Sequence, residues 1–343
     1  MPNPMVGAVI VHNGQIVGEG WHERYGGPHA EVNAIKTVEN PAILKECSIY
    51  VTLEPCSHFG KTPPCANLLV DSGIRHVIIG CSDPNPKVAG QGVSRLRDAG
   101  ITVTEGVRER ECVTLNRRFI LFHRLRRPFV VLKWAETTDR FIAREDGTSQ
   151  WISGQFSRRT AHRWRAQEMS ILVGTRTALL DNPELTVRHV EGENPLRVVI
   201  DRDLSLPPSL HLFDGTTRTI VVNERETSAH DSIERVRVAF DGDLPRHVCD
   251  LLFERQILSV LVEGGSRSLQ SFIDADIWDE ARVFQSKKRF ERGLAAPALG
   301  VLGMTSMPSG RDRIEVFQNP RLAERLGIKD GSLLRIDDDL TGE

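Results

Sequence analysis

The sequence predicts two successive α/β domains, and three observations carry that prediction. The chain has 343 residues, too many for one ordinary domain and comfortable for two. Short β-branched runs alternate with helical segments along most of its length, which implies largely parallel sheets with helices packed on their faces. Pro128 follows a long arginine-rich helical stretch and opens a new strand. At 40% hydrophobic and 26% charged residues, each half has the apolar material for its own core.

In chain order, "VGAVIV" and "QIVGEG" read as a hairpin around Asn13-Gly14. A helix is expected from about His29 to Val38. "SIYVTL" is a strand, "PPCANLLVDSG" a helix, "RHVIIG" a strand, "GVSRLRDAG" a helix and "ITVTEG" a strand. From Arg108 to Arg126, Leu115, Phe119 and Phe122 fall at helical spacing and predict one helix leaving the first domain. The domains are placed at residues 1–125 and 128–343. In the second, "FVVLKWA", "SILVG", "LRVVID", "RTIVV", "RVRVAF" and "LSVLVEGG" are strands. Helices are expected at Ser157 to Ala166, Thr175 to Leu180, Arg246 to Arg255 and Ser266 to Ala275.

Composition narrows the function classes. The formal net charge is −2, from 44 basic and 46 acidic residues, so there is no basic surplus to suggest a nucleic-acid partner. Six cysteines are too few for a disulfide scaffold and suit reduced thiols that bind metal. The start, "MPNPMVGAVIV", has no basic leader, and no apolar run reaches the roughly 18 residues of a membrane span. The expectation is a cytoplasmic enzyme without a membrane partner. "AGQGVSR", Ala89 to Arg95, has the look of a dinucleotide loop. It lacks the third glycine and follows a loop, so it reads as a turn and helix start.

The chemistry concentrates between His29 and Cys65. His29 offers an imidazole, and Cys56 and Cys65 offer thiolates. A structural zinc takes four protein ligands, whereas a catalytic zinc takes three and keeps a position for water. Three ligands are well placed here. His58 is either a fourth ligand or a residue facing substrate. Pro63-Pro64 suits a helix start, which puts Cys65 where the helix dipole favours a thiolate. Glu31, two residues after His29, is placed to take a proton from an attacking water and return it to a leaving group. The competing reading is a closed structural zinc with Glu31 as a helix-start charge.

His29-Ala30-Glu31 with the later Pro55-Cys56 resembles the signature of the zinc deaminases. The longer pattern, "PNPMVGAVIV", "GGPHAEV" and "TLEPCSHFGKTPPC", resembles the pyrimidine deaminases of riboflavin biosynthesis. That resemblance implies a cytidine-deaminase-like domain with His29, Cys56 and Cys65 on one zinc ion and Glu31 as the catalytic proton shuttle. It implies that Asn3, His22, His58 and Lys61 line the pyrimidine and ribose-phosphate pocket. It also implies a helix ahead of "PNP", which this sequence does not include; either the start is misassigned or the sequence is truncated, and one face of the first sheet is expected to be uncovered if the helix is absent.

The resemblance continues past Pro128 into a reductase with a dihydrofolate-reductase-like fold. Together the halves resemble the bifunctional riboflavin-biosynthesis deaminase–reductases. The implied function is zinc-dependent hydrolytic deamination of 2,5-diamino-6-(5-phosphoribosylamino)pyrimidin-4-one, then NADPH-dependent reduction of ribosyl to ribityl. The strand-turn-helix of "LSVLVEGGSRSLQSFI" suits a phosphate at a helix start. The family's loop for NADPH matches Gly264, Gly265 and Ser266, with Ala135, Trp151, Thr177 and Asp181 also on the cofactor side. Ser149, Arg165, Leu185, Arg188 and Glu263 match substrate positions, and the two arginines offer paired donors to its phosphate. A homo-oligomer is the expected assembly. Two departures stand out: Arg140 replaces a glycine in the family's turn, and "SKKRFERG", 286–293, replaces a stretch with a double glycine. The alternatives are a tRNA base deaminase and a zinc-stabilised nucleotide-binding protein without turnover. The neutral charge and 6% aromatic content weigh against a nucleic-acid channel.

Overall fold

Asn13 and Gly14 both adopt left-handed backbone, with φ of 48° and 77°. They close the turn between β1 (Gly7–His12) and β2 (Gln15–Trp21). The computed structural model describes residues 4–57, 63–85, 89–145, 152–300 and 305–328. Within these, one compact unit runs to Leu125 and takes up the segment beginning at Glu324. The other runs from Arg126 to Ala323.

The first unit continues with α1 (Ala30–Lys36), β3 (Ser48–Leu53), α2 (Cys65–Ser72), β4 (His76–Cys81), α3 (Gln91–Asp98) and β5 (Thr102–Glu105). Its five-stranded sheet runs β2-β1-β3-β4-β5. The parallel pattern expected for it holds only for β3, β4 and β5. The hairpin makes β1 antiparallel to β2, and β1 is also antiparallel to β3. The expected single helix from Arg108 to Arg126 is two helices, α4 (Glu109–Leu115) and α5 (Arg117–Leu125). The break falls at Asn116, whose side-chain Oδ1 accepts the Met5 N–H at 3.0 Å instead of riding on a helix surface.

Ala8, Ile10, Ala34, Ile49, Leu69, Val77 and Leu96 form the centre of the first core. Helix α1 lies directly on β2 because two glycines let it. A Cβ on Gly20 would stand 2.4 Å from the Ala34 nitrogen, and one on Gly18 would stand 2.6 Å from the Ala34 carbonyl oxygen. The opposite face of the sheet is covered at β4 by α4, where Gly80 accommodates the Cys112 sulfur. Among the described residues that face is open near β1 to β3. It carries a groove of about 430 Å³ bordered by Val9, Trp21, Tyr50 and Ile78, with Trp21 59% exposed.

The second unit comprises β6 (Phe129–Glu136), β7 (Phe141–Arg144), α6 (Gln155–Gln167), β8 (Ser170–Gly174), α7 (Thr175–Asp181), β9 (Leu196–Ile200), β10 (Thr219–Asn223), β11 (Ser228–His230), β12 (Ile233–Arg237), α8 (Leu244–Glu254), β13 (Ser259–Val262), α9 (Ser266–Asp274), β14 (Glu280–Gln285), β15 (Gly293–Ala295), β16 (Thr305–Ser309) and β17 (Asp312–Gln318). Helix α10 (Leu322–Leu326) closes the described chain. The large sheet has ten strands in the order β11-β12-β10-β9-β8-β13-β6-β14-β17-β16. Its strands from β12 to β14 are mutually parallel, β11 and β17 run antiparallel to them at the two sides, and β16 pairs antiparallel with β17. Val130, Leu132, Leu172, Val260, Val262 and Phe272 lie in its core.

The two departures from the family pattern turn out to be neighbours. Strand β7 pairs with β15, and the Asp139 carboxylate accepts the backbone N–H groups of Phe290 and Glu291. Arg140 sits at φ 62°, a conformation that glycine adopts at no steric cost.

The Gly20 contact yields a direct expectation. Gly20→Ala pushes α1 off the sheet and lowers the stability of the first unit by about 1–3 kcal/mol, the usual cost of overpacking. Chemical denaturation measures it; an unchanged midpoint would contradict the packing described for α1.

Candidate functional site

Two helix starts and one strand end converge in the first unit. His29 is the N-cap of α1, with extended backbone at φ −75° and ψ 164°. Cys65 is the first residue of α2, immediately after Pro64. Cys56 follows β3 by three residues. The donor atoms of His29, Cys56 and Cys65 all lie within 4.8 Å of one another. His29 Nδ1 is 3.2 Å from the Cys65 sulfur and 3.5 Å from the Cys56 sulfur. Nitrogen and sulfur ligands on a tetrahedral zinc stand about 3.6 Å apart, given typical zinc bond lengths, so the donor set fits that ion.

Hydrogen bonds among the three donors shift their protonation in opposite directions, and only Cys56 moves toward the form that ligates a metal. A hydrogen bond from Cys65, then one from His29, outweighs burial and brings the Cys56 thiol down to about 4. The contact with Cys56 and burial push Cys65 up. The Cys65 N–H points at the Cys56 sulfur at 3.3 Å, as the start of α2 should. His29 is raised, chiefly by its bond to Cys56.

Glu31 is 3% exposed in the first turn of α1. Burial raises its carboxyl above the usual carboxylate range. A carboxyl shifted in this direction holds its proton more readily than an exposed one, as a proton shuttle must. His22 is buried beside the donors: its Nδ1 meets the Pro28 carbonyl at 3.0 Å and its ring lies 5.4 Å from that of His29. Asn3, His58 and Lys61 lie outside the described residues.

In the second unit, the polar cluster forms at the C-terminal ends of parallel strands, where α/β folds place their ligands. Glu263 follows β13 and is buried. Arg165, on α6, gives it a two-pronged grip, Nε to Oε1 at 2.7 Å and Nη2 to Oε2 at 2.8 Å. The third nitrogen, Nη1, donates to the Thr186 carbonyl at 3.2 Å. The fork expected to hold a substrate phosphate is thus engaged by Glu263 and the backbone. Arg188 is the more exposed arginine, and it pairs with Glu184. Leu185 is buried, at φ 54°.

The Gly264-Gly265 turn brings the starts of α7 and α9 together. The Gly174 N–H donates to the Gly264 carbonyl at 3.1 Å. A Cβ on Gly265 would stand 3.0 Å from Thr177 Oγ1, so the bare backbone leaves a small cradle beside α9. Backbone N–H groups at the start of α9 are donors of the kind that could hold a phosphate. Ser266 opens α9 and its hydroxyl donates to the Ala295 carbonyl. Ala135 is half-buried near the end of β6. Asp181 is exposed at the far end of α7, four residues beyond Thr177. Ser149 and Trp151 lie outside the described residues.

Residues 1–81 match the family described as "Cytidine and deoxycytidylate deaminase zinc-binding region", and residues 128–288 match the "RibD C-terminal domain". The chain is 40% identical over 305 residues to the riboflavin biosynthesis protein RibD of Aquifex aeolicus, covering 88% of this chain and 85% of that protein. It is 38% identical over 306 residues to RibD of Escherichia coli, covering 84% and 82%. The chain belongs to the RibD family. Its fold is that of a Thermotoga maritima enzyme described as a diaminohydroxyphosphoribosylaminopyrimidine deaminase/5-amino-6-(5-phosphoribosylamino)uracil reductase, with a TM-score of 0.83, 39% identity and 92% of each chain covered. Acinetobacter baumannii RibD superimposes with a TM-score of 0.82 at 30% identity.

Membership in the RibD family makes this a bifunctional deaminase and reductase of riboflavin biosynthesis, with a zinc-binding deaminase domain. Three polar residues of these sites escaped the sequence reading. Lys133 is the one charged residue inside "FVVLKWA", and its Nζ lies 3.4 Å from Glu263 Oε2. His162 lies one turn before Arg165, and its Nδ1 accepts the Arg188 N–H. Burial, then Arg165, lowers His162 to about 4. Glu54 is buried two residues before Cys56. A charge interrupting an apolar strand, as at Lys133, is the signal that could have found the first.

Glu263 gives a pH expectation. Burial alone would raise its carboxyl, but Arg165 and then Lys133 overcome this and hold it at about 2, against an ordinary 4.5. The ionised form is therefore favoured by folding. Its contribution, about 3 kcal/mol, is complete above pH 4.5 and is lost as pH falls toward 2. Glu263→Gln should be less stable at pH 7 and should lack this part of the acid dependence. Four of the five tryptophans lie in the second half, so fluorescence-monitored denaturation reports on it. Parallel acid profiles for the two proteins would refute the assignment.

Proposed function

We propose that the first unit deaminates 2,5-diamino-6-(5-phosphoribosylamino)pyrimidin-4-one and that the second reduces the ribosyl group of the product to ribityl with NADPH. The observation that carries this is the buried Glu31 beside three convergent donors, in a chain whose second half carries a separate Lys133–Glu263–Arg165 cluster. His29, Cys56 and Cys65 would hold the zinc, which supplies the Lewis acidity that makes water nucleophilic at neutral pH. Glu31 takes the proton of the attacking water and passes it to the amino group, which leaves as ammonia. His22 packs against the His29 ring and limits where the imidazole can turn. Asn3, His58 and Lys61 complete the pyrimidine and ribose-phosphate pocket by resemblance.

In the second unit the nicotinamide supplies the hydride. The turn at Gly264 to Ser266, with Thr177, Ala135 and Asp181, forms the cofactor side, and Trp151 joins it by resemblance. Glu263 and Lys133 lie on the substrate side as a charge pair, with Arg165 holding Glu263 in place. Leu185 and Arg188 line the substrate side, and Ser149 joins them by resemblance. The working assembly is a homo-oligomer that acts on a small molecule and not on nucleic acid.

Two outcomes test this on one purified, zinc-loaded protein. Glu31→Ala keeps its zinc and its NADPH oxidation on the deaminated substrate but loses ammonia release by roughly 10²- to 10⁴-fold. Ammonia release near the normal rate would sink the mechanism. Removing zinc with a chelator stops ammonia release and leaves NADPH oxidation intact; a parallel loss of both would show that the second activity needs the metal.

A further inference from the structure

The glycine-rich segment from Ala89 to Arg95 looks like a phosphate loop in the sequence, and in the structure it binds an anion of the chain itself. Gly90, at φ 74°, is the N-cap of the eight-residue helix α3. The carboxylate of Glu54 sits at that helix start and is 3% exposed. Its Oε1 accepts the N–H groups of Gly92 at 3.0 Å and Val93 at 3.3 Å. Its Oε2 accepts those of Gly90 at 3.1 Å and Asp83 at 3.3 Å. Four amide donors and the helix dipole thus stabilise one buried charge.

Glu54 lies two residues before Cys56, and the intervening Pro55 is pressed against the same helix. A Cβ on Gly92 would stand 2.0 Å from the Pro55 carbonyl oxygen. On its other side Cys56 is tied to α2, because its carbonyl accepts the Ala66 N–H at 3.1 Å and its sulfur accepts the Cys65 N–H at 3.3 Å. The backbone that presents the Cys56 sulfur is therefore fixed from two directions. One is the start of α2, which also carries Cys65. The other is Glu54 on the start of α3, which carries no zinc donor.

We propose that Glu54 is a positioning residue of the deaminase centre. It locks the Pro55-Cys56 segment onto α3 and so sets where the Cys56 thiolate stands, without touching substrate. This rests on reading His29, Cys56 and Cys65 as the zinc ligands. Partners one step removed from a metal change its affinity or the activity by about 10- to 100-fold when replaced. Replacing the carboxylate with an amide aims an NH₂ group at two of the four N–H donors and should shift the ligand by that route.

The test uses the full chain, with NADPH oxidation as an internal check that the protein is intact. Glu54→Gln is expected to bind zinc about 10- to 100-fold more weakly in chelator competition. Its kcat for ammonia release should fall by a similar factor with KM changed less than about threefold. In the cobalt-substituted protein the thiolate-to-metal absorption band should shift. Glu54→Asp keeps the charge and should recover part of each loss. A Glu54→Gln protein with the parent's zinc affinity, cobalt spectrum and kcat overturns the proposal. If Glu54→Gln does not yield soluble protein, Glu54→Asp decides: an unaltered zinc affinity and cobalt spectrum overturns it equally. Cys56→Ser separates the premise from the proposal. If that variant retains parent zinc affinity and ammonia release, the ligand assignment fails, whatever Glu54 does.

Discussion

Three donor atoms carried by residues as much as 36 positions apart must meet within a few ångströms, and the first unit is built around that requirement. A coordination sphere tolerates only tenths of an ångström, whereas helices slide on sheets by more than that unless something stops them. Here the stops are backbone contacts. Gly18 and Gly20 let α1 rest on β2 with no side chain between, which fixes the height of His29 and Glu31. The Ala66 N–H bond to Cys56 fixes the start of α2 against the end of β3. The sheet register then decides the rest, because β3 is held between antiparallel β1 and parallel β4.

The second unit meets a different requirement with different means. Its reacting cluster is made of full charges, and burying charges is unfavourable unless each is matched. Glu263 is matched by Arg165 and Lys133. Elsewhere in the sheet, Arg127 grips Asp279 with bonds of 2.6 and 2.7 Å, and Arg282 meets Glu280 at 2.5 Å. The Phe284 ring joins these features: it stacks on Trp164 at 4.8 Å and lies under the Lys133 ammonium. Aromatic packing and charge pairing therefore hold α6 and β14 to the same part of the sheet.

How much of this was legible in the sequence depended on what each residue contributes. The hairpin at Asn13-Gly14 was readable because asparagine and glycine adopt the left-handed backbone of a two-residue turn most readily. The donors His29, Cys56 and Cys65 were readable because their types and the two helix starts agree. Strand β14 was not, since "EARVFQ" carries Glu280 and Arg282 at positions where a buried strand should be apolar. The pairing that makes them tolerable is not visible in one segment alone. The break at Asn116 was missed for a similar reason: it depends on Met5, 111 residues away. Arg165 shows the limit for function. Its sequence position offers paired donors to any anion, and that the anion it grips is Glu263, 98 residues away, is decided by tertiary geometry.

The order of the ten-stranded sheet has a consequence for how copies of this chain can associate. Among the described residues its outermost strands are β11 and β16. The first is only three residues long, and the second carries Pro308, which has no N–H to offer a neighbour. Short strands and proline at a border discourage another chain from extending the ladder. Self-association by β-strand addition at these two described strands, and with it growth into open-ended filaments by that route, is thereby disfavoured.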